Sequence, residues 1–129
     1  MKGIYAAVFE PEDGKVYVSF PDLPGCITSG EDMNEAYAMA VDASNLWMTS
    51  VVEDHKQPAP KATPIDQVEY PEGARVMLIQ IDTVEYLRKT ETKAVRRSVS
   101  IPAWMDDQAQ RRGISLSKTL QEALRLQLA

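Results

Sequence analysis

The sequence contains one cysteine and one histidine in 129 residues, and no long run of apolar residues. A single cysteine, Cys26, cannot form an internal disulfide, and we interpret it as a small buried apolar side chain. With His55 as the only imidazole, a zinc site built from protein side chains is not expected, and no cofactor is predicted. The chain enters strand-like sequence directly after Met1, without the apolar core of a signal peptide, so we expect a cytoplasmic protein that does not associate with membranes.

Charge divides the chain into two parts. The formal net charge is −5, but residues 1–92 carry 7 Lys and Arg against 16 Asp and Glu, a net charge of −9. Residues 93–129 carry 7 against 3, a net charge of +4. A cationic segment suits phosphate, whereas an acidic segment repels DNA and attracts a basic protein. The asymmetry therefore predicts two segments with different partners.

The acidic part has the pattern of a small sheet with a covering helix. Three short segments are predicted as strands: residues 4–9, 16–20 and 27–29. Asp32 and Glu35 form a capping-box pattern before a long apolar stripe, which predicts a helix packed on the sheet. Residues 75–82 carry apolar side chains on both faces, which is typical of a central or well covered strand. Thr83 is expected to cap a short helix over residues 84–88.

A further strand-like pattern lies in the cationic tail at residues 95–101, where Val95, Val99 and Ile101 share one face and polar side chains share the other. Arg97 interrupts the apolar face. Pro102 suits the first turn of a following helix, which is expected to run toward Gly113. Ser115 is predicted to cap a second helix. One strand and two short helices cannot bury an apolar face by themselves, so the tail requires a second copy.

Several sequence motifs match known families. In the acidic part they are the Phe20-Pro21-Asp22-Leu23-Pro24-Gly25-Cys26 run, Gly30 and the Glu35-Ala36 pair. In the tail they are Ile101-Pro102-Ala103-Trp104 and Leu120-Gln121-Glu122-Ala123-Leu124. With these motifs, residues 1–88 resemble the N-terminal domain of the HicB antitoxin family, and the tail from Arg96 to Leu128 resembles the ribbon-helix-helix DNA-binding family.

The resemblance implies an α+β chain with three parts. A reduced RNase H-like domain would occupy residues 1–89, a hinge residues 90–93, and a dimerising ribbon-helix-helix domain residues 94–129. It also implies an antitoxin rather than an enzyme. Such a protein neutralises a HicA-like toxin that cleaves mRNA, and it represses its own operon by binding operator DNA as a homodimer, with a tetramer as the alternative assembly.

The resemblance and the residue types together suggest the DNA-binding side chains. Base edges are expected to be read by the polar face of the tail strand: Arg96, Ser98 and Ser100. Phosphate contacts are expected from Arg97, Ser115, Ser117 and Lys118. The dimer core is expected to contain Val99, Ile101, Trp104, Met105, Leu116, Leu120 and Leu124. The alternative is an ordinary edge strand and a helix cap, both solvated, and the toxin-contacting residues stay unassigned.

Two other functions are compatible with the sequence. A metal-dependent nuclease of the RNase H type needs carboxylates that converge on two metal ions. Acidic residues are available for this: Asp13, Asp22, Glu35, Asp42 and Asp82. However, no spacing on the predicted strands gathers them, and fold analogy alone does not confer chemistry. The other alternative is a protein-interaction module whose tail only oligomerises.

Overall fold

Four strands form one antiparallel sheet in the computed structural model, which describes residues 1–129. The strands are β1 (Lys2–Glu12), β2 (Lys15–Ser19), β3 (Ile27–Gly30) and β4 (Arg75–Asp82), in the order β3-β2-β1-β4. Helix α1 (Met33–Trp47) packs on one face of the sheet, and α2 (Thr83–Thr90) follows β4. These elements make up the first of two compact units, residues 1–90, and residues 91–129 make up the second. The mixed α+β class agrees with the prediction.

The hairpin between β1 and β2 turns on two residues. Asp13 and Gly14 both have positive φ, 49° and 78°, the backbone that a tight two-residue hairpin turn requires. Glu12 therefore still pairs with Lys15, and β1 continues beyond the predicted end at residue 9. The sequence left residues 10–15 between the two predicted strands, and this connection was too long because its turn-forming residues lie partly within the ladder.

Helix α1 lies close to the sheet. Asp32 caps it by accepting a hydrogen bond from the Glu35 amide at 2.8 Å, as the sequence predicts. The side chains that face the sheet are small: Ala36, Ala40 and Ser44 are fully buried. Met33 and Tyr37 also belong to the apolar stripe that predicted this helix, but they are about two-fifths exposed. The helix can approach because Gly30 at the end of β3 has no side chain where the backbone of Ala36 passes.

The loop between β2 and β3 is part of the core. Its apolar side chains are buried: Phe20, Leu23 and Cys26. Burial raises the pKa of the Cys26 thiol to about 11, so it remains protonated at neutral pH, as expected for a structural cysteine. The indole of Trp47 donates a hydrogen bond to the Pro24 carbonyl at 3.0 Å. Asp22 accepts hydrogen bonds from the amide and hydroxyl of Thr63 at 2.8 and 2.6 Å, which ties the proline-rich connection after α1 to this loop.

Strand β4 lies at an edge of the sheet, so of the two predicted possibilities the central position was wrong, and the strand is well covered on one face only. Ile79 and Ile81 are buried on the α1 side, whereas Leu78 on the opposite face is 48% exposed. Apolar residues on both faces indicate that both faces tend to be covered, but they do not show whether a strand pairs on both edges.

The junction between β4 and α2 joins three distant segments. Asp82, and not Thr83 as predicted, caps α2, because its carboxylate accepts the Glu85 amide at 3.1 Å. The buried Thr83 hydroxyl instead donates to the Glu53 carboxylate, which lies in the π-helical continuation of α1 (Met48–Glu53). The Met1 ammonium donates to Glu53 at 2.9 Å and to Thr83 at 2.6 Å.

This junction predicts a pH-dependent contribution of Glu53 to stability. Partial burial alone would raise the pKa of Glu53, but hydrogen bonds from Thr83 and Met1 and the Met1 charge hold the pKa below its ordinary value of 4.5. A lowered carboxylate pKa stabilises the fold above 4.5, and this contribution is lost as the pH falls through the folded-state pKa. In urea unfolding, Glu53→Gln should therefore be less stable than the wild type at pH 7, and the difference should close once the pH falls below the folded-state pKa of Glu53.

The control is Glu69→Gln, because Glu69 is exposed and forms no ion pair. It should unfold like the wild type across this pH range. A constant deficit of Glu53→Gln at every pH would show that the charge of Glu53 does not contribute.

The second unit contains α3 (Ala103–Arg111) and α4 (Leu116–Leu128), as predicted. Gly113, with φ +65°, ends α3, and Ser115 caps α4 by accepting the Lys118 amide at 3.2 Å. Residues 91–102 form no strand within the single chain, so the predicted strand over 95–101 is absent here. A strand needs a hydrogen-bonded neighbour, and the chain provides none for this segment. No helix of either unit is long and apolar enough to span a bilayer.

Candidate nucleic-acid interface

The second unit has no buried residue of its own. Every residue from 91 to 129 is exposed except Asp106 and Ala109, which are partly exposed. The two helices and the segment before them line an open, mainly apolar groove of about 940 Å³. An apolar surface of this extent in a small unit marks an interaction site.

The seven residues predicted for a dimer core are all exposed in the single chain, with fractions from 41% to 66%. Six of them line the groove: Val99, Ile101, Trp104, Met105, Leu116 and Leu120. Leu124 continues the same stripe one turn beyond Leu120 and is 46% exposed. The structure thus brings the apolar set together around one surface, although the sequence did not predict that Ile114 also lines it. The sequence could have indicated this role of Ile114, because an apolar residue immediately before a helix cap often packs against that helix.

The predicted base-reading residues lie in the extended segment that leads into this groove. Arg96, Ser98 and Ser100 are exposed and form no side-chain hydrogen bond within the chain. Their donors and acceptors are therefore available to an external partner. Ser100 also borders the groove, which connects the polar and apolar surfaces of the unit.

The cations of this surface are not neutralised internally. Arg96, Arg97 and Lys118 form no ion pair, and the unit's single ion pair joins Arg111 to Asp107 at 2.8 Å. Lysine and arginine side chains without carboxylate partners suit contacts to phosphate, since releasing counterions from a nucleic acid favours binding.

The start of α4 adds backbone donors. Ser115 satisfies the Lys118 amide, but the amides of Leu116 and Ser117 have no acceptor in the chain. The Ser117 hydroxyl accepts a weak hydrogen bond from Gln121 at 3.4 Å. Free amides at a helix N-terminus attract anions, and here they lie beside the cationic Lys118.

The carboxylates considered for a nuclease centre have separate structural roles. Asp22 binds Thr63, the Glu35 carboxylate accepts a hydrogen bond from the Glu31 amide at 3.4 Å, and Asp82 caps α2. Asp13 lies in the hairpin turn, and Asp42 lines a cleft of about 400 Å³ beside α2. No group of three or more His, Cys, Asp or Glu side chains is arranged to hold a metal ion.

Fold and surface together define the class of the chain. It is an α+β protein in which an acidic sheet unit precedes a cationic helical unit with an uncovered apolar groove. The chain belongs to the HicB-like antitoxin family of bacterial toxin-antitoxin systems, whose family model matches residues 5–124. The resemblance to the HicB antitoxin family is confirmed.

The chain is also similar in sequence to individual proteins, one of which is an antitoxin of this family. The chain is 28% identical over 103 residues to a 14.9 kDa protein from the rep-hol intergenic region of Haemophilus phage HP1, covering 78% of this chain and 74% of that protein. It is 30% identical over 95 residues to Antitoxin HicB 1 of Photorhabdus laumondii. That match covers 72% of this chain and 61% of the antitoxin, so the chain spans less than two thirds of that relative's length.

Solved structures show the same fold. A chain of a toxin-antitoxin complex from Streptococcus pneumoniae superposes with a TM-score of 0.62 at 22% identity, over 98% of this chain and 99% of that one. The Burkholderia pseudomallei antitoxin HicB gives a TM-score of 0.55 at 24% identity, over 97% and 96%. A chain of a HicA3 and HicB3 complex gives 0.51 at 20% identity, over 62% and 99%.

Proposed function

We propose that this chain is an antitoxin with two separate binding functions. Its first unit, a reduced RNase H-like domain, binds and neutralises a HicA-like toxin that cleaves mRNA. Its second unit forms a ribbon-helix-helix dimer that binds operator DNA and represses the operon encoding both proteins. The observation that carries the proposal is a helical unit without a core, in which an apolar groove lies beside cations that have no internal ion pair.

A second copy supplies what the helical unit lacks. Pairing of residues 95–101 with the same segment of another chain gives each strand its missing neighbour and covers Val99 and Ile101. The opposite face of the resulting ribbon then carries Arg96, Ser98 and Ser100 from both chains. A two-stranded ribbon of this kind fits the major groove, and its two-fold symmetry matches a palindromic operator.

Phosphate contacts would position the ribbon. Arg97 adds a positive charge next to Arg96, and the free amides of Leu116 and Ser117 lie at the start of α4 together with Lys118. Contacts of this type fix the register of a protein on DNA without reading its sequence.

The acidic unit supports the toxin-binding part of the proposal. Residues 1–92 carry a net charge of −9, and few of their carboxylates are used in internal ion pairs. Such a surface favours association with a basic protein through complementary charge. Structural relatives occur in complexes described as toxin-antitoxin pairs, one of them formed by HicA3 and HicB3.

Arg96→Ala is expected to weaken operator binding by about 1–3 kcal/mol, because a bidentate contact to guanine is lost. The measurement is equilibrium binding of the full chain to the DNA upstream of its own operon. The matched control is Arg125→Ala, which removes the same charge from the last turn of α4, away from the ribbon.

Salt dependence separates the two kinds of contact. Arg97→Ala should weaken binding similarly for all sequences and reduce the slope of log affinity against log salt by about 1, as expected for one lost phosphate contact. If Arg96→Ala and Arg125→Ala bind equally well, the assignment of the base-reading strand is wrong. A salt-independent affinity would contradict phosphate contact altogether.

A further inference from the structure

The face of the sheet opposite α1 is covered only in part. The covering segment, residues 65–74, packs on Ala6 and Val8 of β1, and both of these side chains are buried. Over β2 and β3 the same face stays open, and Tyr17 is 44% exposed and Ile27 73% exposed. The solvated face of an antiparallel sheet ordinarily carries polar side chains. Large apolar side chains at this position therefore indicate contact with another molecule.

Strand pairing brings these two side chains together. Tyr17 lies opposite Ser29, and Ile27 lies opposite Ser19. Tyr17 and Ile27 are therefore diagonal neighbours on one face, a separation that an aromatic side chain can bridge. A tyrosine combines a large apolar ring with a hydroxyl that can bond to a partner, and tyrosines are enriched in protein interfaces.

The surroundings of this open face are acidic, and their charge is not neutralised within the chain. Six carboxylates belong to them: Glu10, Glu12 and Asp13 in the hairpin from β1 to β2, and Asp66, Glu69 and Glu72 in the covering segment. Glu10 lies opposite Tyr17 in the ladder. None of the six forms an ion pair, and the one cation of the hairpin, Lys15, is already paired with Glu31 at 3.6 Å.

Other parts of the first unit differ from this surface. Around α2, the carboxylates of Glu53, Asp82 and Glu85 are each paired with a cation. The outer side of α1 exposes Leu46, but this helix contains only two carboxylates. Exposed apolar side chains and a large group of unpaired carboxylates therefore occur together at the open face of β2 and β3.

We propose that the toxin binds this open face, with Tyr17 and Ile27 at the centre of the contact and the six carboxylates around them. The inference rests on the proposed function, in which the first unit binds a toxin that cleaves mRNA. A protein that binds RNA presents cations to the phosphates, so such a toxin carries the complementary charge. Well-packed central residues contribute most of the binding free energy of an interface, and charges at its rim accelerate association.

Ile27→Arg tests the centre of the contact. The measurement is equilibrium binding of the full chain to the HicA-like protein encoded in the same operon. The affinity should fall at least about tenfold, because an arginine replaces an apolar contact and repels the cations of the toxin. Leu46→Arg is the matched control, since Leu46 is 53% exposed on α1, on the other side of the sheet, and should leave the affinity unchanged. Thermal unfolding of both variants verifies that the first unit is folded.

Charge reversal tests the rim. Glu69→Lys and Asp54→Lys change the net charge of the chain equally, and both carboxylates are exposed and form no ion pair. Only Glu69 belongs to the covering segment. Glu69→Lys should therefore slow association with the toxin more than Asp54→Lys does at low salt, and the difference should shrink as salt screens the charges. Equal association rates of the two variants would contradict docking at this face.

The outcomes separate this inference from the proposed function. A wild-type chain that does not bind the toxin would overturn both. If the wild type binds and Ile27→Arg binds equally well, only the assignment of the face is wrong. Operator binding by Ile27→Arg should equal that of the wild type, because the proposed DNA contacts lie in the second unit. A lower molar mass of Ile27→Arg in light scattering, with toxin affinity retained, would overturn the inference in favour of a second copy at this face.

Discussion

A Leu120→Asp variant is expected to lose dimerisation through the second unit and, with it, at least about 100-fold in operator affinity, given the usual gap between specific and non-specific binding. Leu120 lies on α4 and lines the groove; it is 42% exposed in the single chain and is covered by the second copy in the proposed dimer. A carboxylate there would be buried without a partner. Ribbon formation requires two chains, so loss of the dimer removes the DNA-reading surface as well.

The secondary structure of the second unit should report the same event. Helices α3 and α4 have 9 and 13 residues, and isolated helices of this length are marginal in water. Without the dimer the helical signal of the unit should fall, and DNA binding should disappear. The first unit has its own core and should remain folded. Toxin neutralisation should therefore persist when the protein concentration exceeds the dissociation constant of its complex with the toxin.

Leu126→Asp is the matched control for this experiment. It introduces the same charge on the same helix, but Leu126 is 82% exposed and does not line the groove. It should dimerise and bind DNA like the wild type. A dimeric Leu120→Asp variant with intact operator binding would show that the groove is not the DNA-binding dimer interface.

Local chemistry made part of this structure readable from the sequence. The caps at Asp32 and Ser115 depend on side chains bonding to amides three residues away, and both were predicted correctly. The bounds of β4 agree with the prediction because charged or turn-forming residues flank an apolar run. The apolar stripe of α4 likewise follows from helix periodicity alone, and its residues converge on the groove.

Features that depend on contacts between distant segments could not be predicted from local sequence patterns. The edge position of β4 follows from the order in which strands pair, which residue alternation does not encode. The stripe on α1 was correct for its small residues, which are fully buried, but not for Tyr37, because the helix lies so close to the sheet that this larger side chain stays at the margin. For the candidate DNA site, the polar residues at 96, 98 and 100 could be proposed as base contacts from the sequence. The hydrogen-bonded ladder of that strand, however, requires a second chain.

Replacing Gly30 by alanine is expected to destabilise the first unit by at least about 3 kcal/mol, at the upper end of overpacking costs. A Cβ at this position would lie 2.7 Å from the Cα of Ala36 and 2.8 Å from the Glu35 carbonyl carbon. Both are backbone atoms of α1, so no rotamer change relieves the overlap. The helix would have to move off the sheet and separate Ala36 and Ala40 from it. Urea unfolding of the full chain measures this loss.

Gly73→Ala is the control that distinguishes the free-energy cost of lost close packing from the cost of an unfavourable backbone conformation. Gly73 has φ +87°, and a Cβ added there would meet no atom within 4 Å, so alanine costs only the left-handed backbone, about 1 kcal/mol. Gly30 requires no such backbone, and its cost comes from close packing alone. Gly30→Ala should also lose toxin neutralisation while retaining operator binding, because the two functions lie in separate units. Equal destabilisation by the two substitutions would mean that α1 does not depend on its close contact with β3.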